Sequence, residues 1–168
     1  MFHNLIWIVT VVVMALVQTT WPDFLTLENV KPDLTLILVV YFAIADGEER
    51  AMFTGALGGI YQDVASKAVL GQNVICLAVV GYAVGRLSTR LVTDHPAVKA
   101  GLVLLAGLAQ GILFTCIHYI QYPGTPVVET ILTAVVPASF YTALITPFVF
   151  FGLSRVFGER NAVPGGIA

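Results

Sequence analysis

The chain has very little charge for its length: of 168 residues only 11% are charged, against 58% that are apolar. Soluble domains carry about 25% charged residues, so this composition leaves too little polar surface to cover a soluble globule. Eight bases against ten acids cannot form the basic patch that a nucleic-acid-binding protein needs. The mean hydropathy of +0.89 is typical of a protein whose solvent is the lipid bilayer.

Residues that bind metals or serve as nucleophiles are also scarce, with two cysteines and three histidines. Cys76 and Cys116 lie inside apolar runs and indicate no disulfide framework. Cys116 and His118 have no further ligands nearby, so we predict no metal and no cofactor. His95 and His118 fall on opposite sides of the predicted membrane, and no nucleophile and base can be paired. The chain is therefore predicted not to be an enzyme.

Six apolar segments remain, and we predict one membrane-spanning helix in each. The first lacks the preceding base and the cleavage site of a signal peptide, so it is predicted to be retained. The spans cover approximately residues 5–20, 33–45, 51–64, 73–88, 100–120 and 130–157, followed by a short cytoplasmic tail, 158–168. The predicted fold is an all-α membrane protein, a six-transmembrane-helix bundle forming a single domain over residues 1–168.

The second, third and last predicted segments differ in length from a straight span. A straight span needs about 20 residues, so the second and third segments are short. They either extend into their flanks, thin the bilayer or form a re-entrant pair, and five spans or such a pair are the alternatives to six. The last segment is long and contains Pro137 and Pro147, which predict a kink or an interfacial lead-in.

The loop charges predict the orientation. With six spans, six of the eight bases share one side: Arg50, Arg86, Arg90, Lys99, Arg155 and Arg160. Only Lys31 and Lys67 lie on the other side. Because cytoplasmic loops are enriched in Lys and Arg, both termini are predicted to be cytoplasmic.

Small residues recur at the spacing at which membrane helices pack closely. The pairs are Gly55 and Gly59, Gly81 and Gly85, and Gly107 and Gly111, each four residues apart. Helices in lipid associate through such close backbone approach. We expect these faces to pack within the bundle; the alternative is that one of them docks a partner helix.

Two acids lie at the predicted extracytoplasmic ends of the short spans. Asp33 follows Pro32 at the start of the second span, where it is expected to cap the helix. Asp63 ends the third span, and it is either a functional intramembrane acid or the partner of Lys67 in a local ion pair. Since both acids fall on one side, they could share a polar pocket.

The order and spacing of these features resemble the rod shape-determining protein MreD family of bacterial inner-membrane proteins. The residues that carry the resemblance are Gln18-Thr19-Thr20, Lys31-Pro32-Asp33-Leu34, Gly55-x-x-x-Gly59-Ile60-Tyr61-Gln62-Asp63, Gly71 and Gly81-Tyr82-x-x-Gly85. The resemblance covers the first half well and rests on hydropathy beyond Lys99. Ile60-Tyr61-Gln62 is more polar than the leucines usual in the family.

The resemblance implies a non-enzymatic scaffold of the cell-elongation complex. Family members bind the bitopic protein MreC and, through it, the MreB filament and the peptidoglycan synthases RodA and penicillin-binding protein 2. Pro32, Asp33, Gly55, Gly59, Asp63, Gly81 and Gly85 are the candidate structural or partner-binding residues.

The alternative follows from a likeness in layout to the substrate-binding components of energy-coupling factor transporters. Such a component would bind a vitamin in an extracytoplasmic pocket lined by Asp33, Asp63, Tyr61 and Gln62. A channel is the third class, but the polar residues in the middle of the first and sixth spans are too few to form a continuous polar path.

Overall fold

The computed structural model describes residues 2–19, 31–66, 71–91 and 95–157, and within these residues it contains helices and turns but no strand. The helices are α1 (Phe2–Thr19), α2 (Leu34–Ala45), α3 (Glu48–Ser66), α4 (Gln72–Ser88), α5 (Pro96–Gln121) and α6 (Val127–Phe157). The predicted all-α class is confirmed. Lys67, Arg160 and the tail predicted over 158–168 lie outside the described residues.

The helices differ in their suitability for crossing a bilayer. α5 and α6 are long and apolar enough to span a membrane, whereas α2, α4 and the apolar part of α1 are shorter. α3 is 19 residues long and begins with Glu48, Glu49 and Arg50, so it extends beyond the predicted apolar segment. That all six helices cross the membrane stays a prediction.

α2 forms the centre of the bundle. Every residue from Leu34 to Ala43 is buried, and α2 packs against all five other helices. A helix that is apolar on every side is a buried helix, which accounts for its uninterrupted Leu, Ile and Val residues. Its 12 residues span only about 18 Å. The surrounding helices shield α2 along this length.

Local sequence fixes both ends of α2. The Asp33 carboxylate accepts a hydrogen bond from the Leu36 backbone N–H at 3.0 Å and so caps the N-terminus. At the other end the Asp46 backbone N–H donates to the Phe42 carbonyl, and Gly47 adopts a left-handed φ of +90°. A glycine at this position allows the chain to reverse directly into α3.

α3 and α4 pack closely through the glycines that the sequence singled out. A Cβ atom on Gly59 would lie 2.6 Å from the Val74 Cα, and one on Gly81 would lie 2.7 Å from the Ala51 carbonyl oxygen. Gly55 and Gly85 likewise face the backbones of Leu77 and Glu48. All four glycines are buried in this contact, so they serve packing within the bundle and present no surface to a partner helix.

α5 and α6 form the second closely packed pair. Gly107 faces the Ser139 side chain and Gly111 faces Val135, so this glycine pair is also used inside the bundle. α6 contains a π-helical stretch, Ile131–Val135, that ends two residues before Pro137. Proline cannot donate a backbone hydrogen bond. The break in regular helical bonding over the π-helical stretch therefore agrees with the disturbance expected near Pro137. Pro147 lies within the regular helix that follows.

Candidate functional site

A cleft of about 670 Å³ opens at the end of the bundle where α2 begins. Its lining comes from every helix: Gln18, Pro32, Asp33, Gln62, Asn73, Gln110 and Thr142 supply polar and main-chain groups, and residues such as Leu36, Phe114 and Val135 supply apolar walls. The volume falls within the range of about 300–1,000 Å³ found for ligand sites. The cleft is therefore large enough to hold a ligand or a short segment of another chain.

Asp33 joins four helices within this cleft. Its Oδ1 atom accepts hydrogen bonds from the Leu36 N–H and from Gln62 Nε2, both at 3.0 Å. Its Oδ2 atom accepts from Gln110 Nε2 at 3.3 Å, and its backbone N–H donates to Thr142 Oγ1 at 3.0 Å. These donors to the carboxylate are all uncharged. Lys31 lines the same cleft, so Asp33 is not its only charged residue.

Gln18 ties the end of α1 to the same region. Its Oε1 atom accepts hydrogen bonds from the Thr35 backbone N–H at 3.1 Å and from Thr35 Oγ1 at 2.8 Å. The first of these bonds satisfies another free N–H group at the start of α2. Two side chains, Asp33 and Gln18, therefore cap one helix from within the cleft.

Asp63 has a different environment from Asp33. It is only 1% exposed and does not line the cleft, although Gln62 beside it does. Its carboxylate accepts from the backbone N–H groups of Gly71 at 2.8 Å, Asn73 at 3.0 Å and Val74 at 3.4 Å. Gly71 has a φ of +101° and no side chain to cap α4, so Asp63 caps that helix from α3. The two acids do not share one pocket.

The candidate residues thus fall into two groups. Pro32 and Asp33 line the cleft, whereas Asp63 and the glycines Gly55, Gly59, Gly81 and Gly85 do not. Of the residues expected to line a vitamin pocket, Asp33, Tyr61 and Gln62 lie there and Asp63 does not. The possible Asp63–Lys67 ion pair involves a residue outside those the structure describes.

Sequence reasoning named Tyr61 and Gln62 for a pocket but missed the other uncharged polar residues of the cleft as site residues. Four carboxamide side chains line it, those of Gln18, Gln62, Asn73 and Gln110. Gln110 stands alone in an apolar run, where one amide attracts little notice, whereas the other three have polar neighbours. The available signal was the common location of Gln18, Gln62 and Asn73 toward the predicted extracytoplasmic ends of different spans.

The wall of the cleft is mostly apolar, with hydrogen-bonding groups set into it. These groups are the Asp33 carboxylate, the Lys31 ammonium, four carboxamides and the hydroxyls of Tyr61, Ser66, Thr115, Thr130, Ser139 and Thr142. Among the described residues there is no group of three or more His, Cys, Asp or Glu side chains that could hold a metal ion. Such an arrangement suits a largely apolar ligand whose few hydrogen-bonding groups are oriented by the polar side chains.

The fold and the cleft define a small helical bundle with a buried central helix, an apolar outer surface and an open cleft at one end. The chain belongs to the family of the rod shape-determining protein MreD, whose family model matches residues 1–155. This is a family of membrane proteins that determine cell shape, and the resemblance noted in the sequence is confirmed. No curated protein and no solved structure matches the chain.

Proposed function

We propose that this protein is a non-enzymatic scaffold of the cell-elongation complex, and that it binds MreC at the cleft where α2 begins. Through MreC it connects indirectly to MreB, RodA and penicillin-binding protein 2 and so supports peptidoglycan synthesis. The observation that carries the proposal is the cleft itself, an open site of about 670 Å³ with Asp33 and four carboxamides in its lining. Its polar groups suit binding, and the family assigns the protein to shape determination.

We further propose that all six helices cross the inner membrane, with both termini in the cytoplasm. The described bases other than Lys31 support this orientation, because they lie near the helix ends remote from the cleft: Arg50, Arg86, Arg90, Lys99 and Arg155. The excess of Lys and Arg on cytoplasmic surfaces then directs the cleft toward the extracytoplasmic side.

A cleft on that side suits a bitopic partner for a geometric reason. The segment of such a partner that leaves the membrane runs alongside the bundle at the depth of the cleft. Peptide groups in that segment need hydrogen-bond partners wherever water is excluded, and the carboxamides of Gln18, Gln62 and Gln110 can provide them. The vitamin-binding alternative is not favoured, because the matched family acts in shape determination.

Co-purification tests the proposal directly. The full-length protein, extracted in detergent with a tag, is expected to capture full-length MreC in a fixed ratio. An unrelated bitopic protein of similar length serves as the control. If MreC is recovered no better than this control, the proposal is wrong.

A further inference from the structure

Asn73 carries a side-chain amide that no other part of the described structure satisfies. It is the second residue of α4, it is 8% exposed and it lines the cleft. Its backbone N–H donates to Asp63 at 3.0 Å, but among the described residues its side-chain amide makes no hydrogen bond. Buried polar groups are almost always hydrogen-bonded, so an unpartnered one needs an explanation.

The neighbouring residue, Gln72, has a side-chain amide that is hydrogen-bonded within the bundle. Gln72 is 4% exposed, and its Nε2 atom donates to the Phe114 carbonyl oxygen of α5 at 3.0 Å. That bond joins two helices, and Gln72 does not line the cleft. The two adjacent carboxamides therefore differ: Gln72 is used inside the bundle, whereas the Asn73 side chain lines the cleft with its donor and acceptor unused.

We propose that Asn73 is the residue that binds a main-chain peptide group of the polypeptide occupying the cleft, an inference that rests on the proposed function. A carboxamide has an oxygen that accepts and an NH₂ group that donates, and a peptide group offers the matching N–H and C=O. The pair can form two hydrogen bonds at once. A carboxylate or an ammonium group would satisfy only half of the Asn73 side chain.

One wall of the cleft is formed by an irregular part of α6. Thr130, Ala134 and Val135 line the cleft from the π-helical stretch of α6 or its boundary. Such stretches occur frequently at functional sites. Pro137 accounts for the irregular bonding of this stretch, so the unsatisfied Asn73 amide is the observation that points to a ligand in the cleft.

The variant Asn73→Leu separates binding from structure, since leucine has a similar size and no polar atoms. Removing an unsatisfied buried amide costs the bundle no hydrogen bond, so the melting temperature should equal or exceed that of the wild type. Loss of two hydrogen bonds to the partner should raise the Kd for full-length MreC by about tenfold to a hundredfold. Both quantities are measured on the full-length protein in detergent.

Gln72→Leu is the matched control, because it removes an amide that is satisfied within the bundle. It should lower the melting temperature more than Asn73→Leu does and should leave the MreC affinity of the folded protein within about threefold of the wild type. If Asn73→Leu binds MreC as tightly as the wild type, or if it loses stability as Gln72→Leu does, the role of Asn73 is overturned while the proposed function stands. If the wild type itself fails to bind MreC, the proposed function is overturned together with the inference.

Discussion

The contact between α3 and α4 and the cleft beside it, to which both helices contribute, are built by opposite means. In the contact, glycines let the backbones approach so closely that a Cβ on Gly59 would lie 2.6 Å from Val74. In the cleft, residues from the end of α3 and the start of α4 face a space of about 670 Å³. The glycine contact holds the two helices together, and the polar ends of those helices are left available for binding.

The two aspartates differ in the same way: one supports the helix contact and the other lies in the cleft. Asp63 lies behind the cleft, and three backbone N–H groups of α4 or its cap surround its carboxylate. Asp33 lies in the cleft, where side-chain amides from other helices reach it. Substitutions at Asp63 and at the glycines should therefore act mainly on stability, whereas substitutions in the cleft should act mainly on partner binding.

The largest effect is expected from Gly59→Val, which places a branched side chain against the backbone of α4. Because backbone atoms cannot move aside as a flexible side chain can, the helices must separate, at a cost of about 3 kcal/mol or more. SDS-induced unfolding of the detergent-solubilised protein measures this loss. Gly101→Val is the control, since a Cβ on Gly101 meets nothing within 4 Å. Equal stability of the two variants would show that the α3–α4 contact is not as close as described.

The second-largest loss of stability is expected from Asp63→Ala, which leaves the N–H groups of Gly71, Asn73 and Val74 without their acceptor. We expect a loss of about 2–3 kcal/mol in the free energy of unfolding. Asp63→Asn keeps one acceptor oxygen and should lose clearly less. If both variants unfold at the same SDS concentration as the wild type, Asp63 does not cap α4.

A small effect on stability is expected from Asp33→Asn, although this residue joins four helices. Asparagine caps helices about as well as aspartate, but its NH₂ group cannot accept the hydrogen bond from Gln110 Nε2, so the free energy of unfolding should fall by about 1 kcal/mol. The loss of charge should weaken MreC binding by about tenfold, because hydrogen bonds to a charged acceptor are about twice as strong as neutral ones. A large loss of stability with unchanged MreC affinity would place Asp33 in the structural group with Asp63.

The sequence predicted the all-helical class and the glycine packing because these depend on local patterns. Gly55 and Gly59 are spaced for one face of a helix, and Asp33 after Pro32 is a recognisable cap. The central position of α2 was not predicted. A short apolar helix has the same pattern whether lipid or other helices surround it, so its length suggested an extended span, a thinned bilayer or a re-entrant pair and not a core helix.

The cleft could not be predicted because its residues come from six helices. Gln18, Asn73 and Thr142 are distant in sequence, and only the packing of the bundle brings them together. Asp63 was singled out for its charge, but its role depends on Gly71 lacking a side chain of its own. The location of Gln18, Asn73 and Asp63 toward one predicted side of the membrane was visible, whereas their contacts and the place of Thr142 were not.

The most direct test of the account is to fill the cleft and measure MreC binding. Ala65 is exposed and lines the cleft, and Ala83 is equally classed as exposed but lies on α4 away from it. Ala65→Trp should raise the Kd for full-length MreC at least tenfold with an unchanged melting temperature, and Ala83→Trp should change neither quantity. If Ala65→Trp binds MreC as tightly as Ala83→Trp does, the cleft is not where the partner binds.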